Sequence, residues 1–130
     1  MRDVFYRKGF FLFSQAALPR LLDSVGSSPH PPSLIVTGAT ASLRGGAYLS
    51  SFAHACAAKR ATAQSIAREF GPKGVHVAHV IIDGVIDIPR TKEYDVNGGV
   101  EGGKIDSDAV STTINAVMIE DTVKDYLMRC

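Results

Sequence analysis

Tryptophan is absent from this chain, cysteine occurs twice, and the net charge is only +1 over 130 residues. So balanced a surface gives no electrostatic reason to expect nucleic acid or an anionic membrane as partner. The longest apolar runs, GFFLF from Gly9 and VAHVII from Val77, fall far short of the roughly 20 residues that cross a bilayer. No membrane role is expected. The opening MRDVFYRKGFF has no signal-peptide layout followed by a small-residue cleavage site, so a cytoplasmic location is the expectation. Cys56 falls in an apparent helix and Cys130 is the last residue, a spacing that fits neither a disulfide framework nor zinc. Both read as free thiols, and no metal site is expected.

What is present is an ordinary α/β alternation. FFLFSQAALPRLL, Phe10 to Leu22, has apolar residues on most sides and reads as a largely buried helix, kinked or shortened near Pro19. DSVGSSPHPP ends it. Ser33 to Thr37 is a short strand, Gly38 to Gly46 a loop, and Ala47 to Phe70 an alanine-rich helix stopped by GPKG. There Gly71 suits a left-handed cap and Pro72 forbids continuation. VHVAHVII, from Val75, is a second strand. Strand, helix and strand with short joins make a βαβ unit, which requires the two strands to be parallel. Asp83 to Gly103 reads as a glycine-rich loop whose NGGVEGGK suits a mobile substrate loop, and Ser107 to Cys130 as one or two polar helices capped by Ser107 or Asp108. Residues 1–106 are thus one α/β portion and 107–130 a divergent helical tail.

SLIVTGATASLRGG, residues 33 to 46, admits two readings. A strand entering a glycine turn can open a dinucleotide-binding unit, where bare backbone approaches a pyrophosphate at a helix start. It can also be a later strand that ends in a catalytic hydroxyl. The first reading needs T-G-x-x-x-G-x-G, hence glycine at 42 and 44, where the chain has Ser42 and Arg44. A side chain at both places excludes the phosphate cradle.

The segments FLFSQAALPRLL, LIVTGATASLRGGA and AQSIAREFGPKGVHVAHVIIDGVIDIPR together resemble the second half of the short-chain dehydrogenase/reductase family, from its fourth helix to the loop after its sixth strand. The likeness runs from Gly9 to about Gly103. It implies a partial Rossmann-like, doubly wound parallel sheet with a βαβ core and flanking helices. It makes LIVTG the strand that ends in the catalytic serine, with Thr40 or Ser42 at that position, and implies NAD(P) as cofactor. Asp83-Gly84-Val85-Ile86 stands where the family has P-G-x-I, so Gly84 and Ile86 alone keep the residue types of the nicotinamide loop. The family's fourth-helix asparagine falls near Tyr6.

The family's chemistry needs a tyrosine hydroxyl and a lysine one helical turn later, which lowers the phenol pKa and holds the ribose. No lysine of this chain has a tyrosine four residues before it. Ungapped alignment puts Phe52 at the tyrosine position and Cys56 at the lysine position. A three-residue insertion restores Lys59 but puts Ala55 in place of tyrosine. Tyr48, one turn before Phe52, is displaced by about 6 Å along a helix axis, too far to replace the phenol, and reads as an aromatic that packs at the helix start. His54 and Cys56, two apart on a helix, read as a surface histidine and a buried thiol. His76 and His79 face opposite sides of their strand, and Asp83 and Asp87 read as turn residues rather than paired carboxylates.

The leading expectation is therefore a truncated, degenerate short-chain-dehydrogenase-like chain, a pseudoenzyme that binds no NAD(P) and turns over nothing alone. Two alternatives stand beside it. One is an NAD(P)-dependent oxidoreductase completed by a partner or a longer chain. The other is an interaction module that forms a homo-oligomer through helices 10–22 and 47–70, an expectation strengthened by the uncovered strand edges of so small a sheet.

Overall fold

The computed structural model describes residues 2–101 and 103–111, with the side chains of 2–7 and 97 outside what can be described. Four regular elements organise them: α1 (Arg2–Asp23), β1 (Ser33–Ala39), α2 (Ser50–Phe70) and β2 (His76–Ile82). The strands pair in parallel from Ser33 opposite His76 to Ala39 opposite Ile82, and α2 makes the connection between them. The βαβ expectation holds. This is the repeating unit of a doubly wound parallel sheet, flanked here by two helices that pack on each other.

The core follows from side-chain periodicity. Leu34 and Val77 lie opposite each other in register, and they are buried with Leu18 of α1, Ile66 of α2 and Val75 just before β2. Phe10, Leu21, Leu22, Ala67 and Phe70 close around them. On α2 the buried positions are Ala55, Cys56, Ala63 and Ile66, a helical stripe whose small members let the helix approach the strands closely. Seven alanines between Ala53 and Ala67 favour that helix on propensity as well. Ser14 is 1% exposed on α1, and its hydroxyl donates to the Phe10 carbonyl at 2.8 Å, which removes the cost of burying it.

Several boundaries differ from expectation, each for a local reason. α1 is not shortened at Pro19 and continues to Asp23. Nor is it largely buried: Phe11, Leu12 and Phe13 are half exposed or more, because α1 has neighbours on one side while its apolar residues run round several. α2 starts at Ser50 rather than Ala47, since Tyr48 just before it has φ +63°, outside any right-handed helix. Tyr48 is fully exposed and packs on nothing. Gly71 is right-handed, and the left-handed residue is Gly74 at φ +91°, three positions later, because a 3-10 turn over Gly71–Lys73 prolongs the helix. A helical segment begins at residue 107, where the Asp106 carboxylate accepts the Asp108 N–H at 3.2 Å, so Asp106 is the cap in place of Ser107 or Asp108. The tail beyond residue 111, Cys130 included, lies outside the described residues.

No described helix is long and apolar enough to cross a membrane.

Candidate functional site at the carboxyl ends of the strands

In an open parallel sheet the carboxyl ends of the strands are where ligands bind, and here those ends are Ala39 and Ile82. Thr40 and Asp83 follow them immediately. The Thr40 hydroxyl donates to the Asp83 carboxylate at 2.5 Å, so a side-chain bond extends the backbone ladder by one step. A hydroxyl committed to that carboxylate has no proton left to give a substrate carbonyl. Ser42, the other candidate for the serine position, sits in a 3-10 turn over Thr40–Ser42 that packs on α2. It is 6% exposed, and its oxygen is buried without a partner.

Phe52 and Cys56 lie one turn apart on α2 but in opposite environments. Phe52 is 41% exposed and Cys56 is 2% exposed. Burial pushes the Cys56 thiol above its ordinary range, and the charge of Lys59 offsets this only in part, so at neutral pH Cys56 is a protonated, unreactive thiol. His54 is exposed, as expected. Tyr6 is on α1, with its side chain outside the described residues.

The sequence pattern set His79 only on the opposite strand face from His76, and the structure gives it a packing role. Alternation in register puts its imidazole on the same face as Val36 and Gly38. A Cβ on Gly38 would lie 2.1 Å from Nε2 and 2.5 Å from Cε1 of that ring. The glycine of VTGAT therefore makes room for an imidazole, and it is needed for close packing rather than for phosphate. His79 Nε2 is itself buried without a partner. Burial, then Lys59, then Arg60 hold its pKa below the ordinary value, so the ring is neutral at neutral pH. The signal available beforehand was a glycine inside a strand, which marks a bulge or a close approach but not the group that approaches.

Gly84 and Ile86 are turned toward the chain itself. Ile86 forms a parallel bridge with Ile105, and a Cβ on Gly84, at φ +153°, would lie 2.7 Å from Ile105 Cδ1. Side chains on either side of the segment between are tied to it. Lys104 Nζ donates to the carbonyls of Thr91 at 2.9 Å and Lys92 at 2.8 Å and lies 3.9 Å from the Asp87 carboxylate, while the Thr91 hydroxyl donates to the Ile86 carbonyl. Asp83 and Asp87 thus have different partners and do not act as a pair. A shallow cavity of about 320 Å³ lies in this lobe, lined by Asp87, Lys92, Tyr94, Val96 and Lys104 among others. Among the described residues, no three His, Cys, Asp or Glu side chains gather where they could hold a metal ion.

Among solved structures the chain is similar to a short-chain dehydrogenase from Rhodopseudomonas palustris, with 35% sequence identity and a TM-score of 0.47 over 75% of this chain and 45% of that one. The chain thus spans less than half the length of that protein. No family model matches the chain, and no curated protein matches it.

Proposed function

We propose that this chain is a short-chain-dehydrogenase-like βαβ segment whose catalytic positions are substituted, a pseudoenzyme without turnover of its own. What supports the reading is that Phe52 and Cys56, which ungapped alignment sets at the family's tyrosine and lysine, are a half-exposed phenyl ring and a buried, protonated thiol. Neither replaces a proton donor or its electrostatic partner. The residues also do not fit NAD(P), the cofactor that the family resemblance implies. Thr40 is engaged by Asp83, the space beside Gly84 is filled by Ile105, and positions 42 and 44 carry side chains. No step is derived through that group. Calorimetric titration with NADH and NADPH is expected to give no saturable heat. A saturable isotherm in the micromolar range overturns the reading.

A second reading, self-association, is favoured by one further observation. Phe11, Leu12 and Phe13 expose 50%, 50% and 60% of their surface on α1, and Leu49 and Phe52 are exposed where α2 begins. Exposed apolar side chains of this size, spread round α1 and at the start of α2, favour association. Sedimentation equilibrium is expected to show concentration-dependent association, weakened about tenfold or more in a Phe11→Lys, Phe13→Lys chain. A monomer at every concentration contradicts it.

A further inference from the structure

We propose that the His79 imidazole is a pH-operated wedge: uncharged, it fills the space over Gly38 and holds the carboxyl ends of β1 and β2 in place, and protonated, it leaves that space and frees the Thr40 and Asp83 end of the sheet. The geometry comes first. The ring occupies the volume that a side chain at position 38 would need, and it does so within one strand step of the ends where Thr40 and Asp83 meet. Its Nε2 is shut off from water and has no acceptor, so a proton added there enters a site with nothing to share it.

Among the described residues, the charges that act on the ring have the wrong sign for a cation. From α2 come Lys59 and Arg60, both of which act on His79, with the protonated Cys56 thiol beside Lys59. From β1 the neighbour is Gly38, and the 3-10 turn over Thr40–Ser42 contains hydroxyls and no ionisable group. Asp83, the nearest carboxylate along β2, accepts the Thr40 hydroxyl. His76 belongs to the other face of the strand.

The direction of the effect follows from linkage. A native imidazole that binds its proton less readily than the unfolded chain favours the closed form fully above the ordinary value of 6.5, and that contribution is lost as pH falls from there through the native value. Closure is therefore a neutral-pH property. It does not depend on any relation to dehydrogenases.

The test is an NMR titration of the full chain from about pH 7.5 to about pH 5, with the His79 ring and the backbone amides of residues 37–40 and 80–83 followed together. The His79 ring is expected to titrate below the ordinary histidine value. Over the same pH range the exchange of those amides, corrected for the intrinsic pH dependence, is expected to rise about tenfold. In a Lys59→Gln chain one repelling cation is gone, and both midpoints are expected to move up together. The proposal is overturned if His79 titrates while the amides stay protected, or if amide opening follows a different midpoint from the ring. The wild-type titration decides this even if Lys59→Gln does not fold.

Discussion

A Cys56→Lys chain is expected to lose about 3–5 kcal/mol of stability, a large share of what a small domain has, while Phe52→Tyr changes stability by no more than about 0.5 kcal/mol. The pair of substitutions rebuilds on paper the i, i+4 phenol and ammonium of an active short-chain dehydrogenase, but the two positions are not equivalent in the fold. Phe52 is 41% exposed, so an added hydroxyl finds water. Cys56 is 2% exposed in the stripe that packs against the strands, and Lys59 one turn away already presses a positive charge on it. An ammonium there is desolvated, faces a like charge and has no described acid to pair with. Small α/β domains have only about 5–15 kcal/mol in hand. The double variant is therefore expected to be no dehydrogenase and also a poorly folded protein. Urea unfolding of the two single variants checks this, and a Cys56→Lys midpoint equal to wild type contradicts it.

Gly38→Ala, in β1, is expected to destabilise the chain by about 1–3 kcal/mol, whereas Gly45→Ala, in the loop before α2, is expected to be neutral or mildly stabilising. Nothing lies within 4 Å of a Cβ built on Gly45, but one built on Gly38 meets the His79 ring at 2.1 Å. The overlap is with the edge of the ring, so the alanine methyl forces the imidazole to rotate out of the place it fills. The conflict is pairwise, so it is expected to be non-additive: His79→Ala should restore much of what Gly38→Ala loses. Unfolding midpoints for the two single variants and the double variant measure the coupling. Additive losses would show that Gly38 acts through something other than the ring.

The sequence alone determined the parallel pair and its helical connection, because these rest on local periodicity: a β-branched run, an alanine-rich helix with a buried stripe, a stop at GPKG, and a second β-branched run. It also settled that no tyrosine precedes a lysine by four, which no fold can change. The sequence resemblance pointed to Phe52 and Cys56, but not to their environments. Only the tertiary structure decided that one is open and the other closed, since both sit on the same helix and burial depends on what packs against it. The same holds for contacts between residues distant in the chain. Thr40 bonds Asp83 across 43 positions, and His79 lies on Gly38 because the register brings β2 beside β1. Lys104 clips a lobe through two carbonyl groups, which carry no side-chain signature at all. α1 reads as buried from composition yet exposes Phe11, Leu12 and Phe13, because hydrophobicity states a preference for contact and only the arrangement of neighbours decides which face receives it.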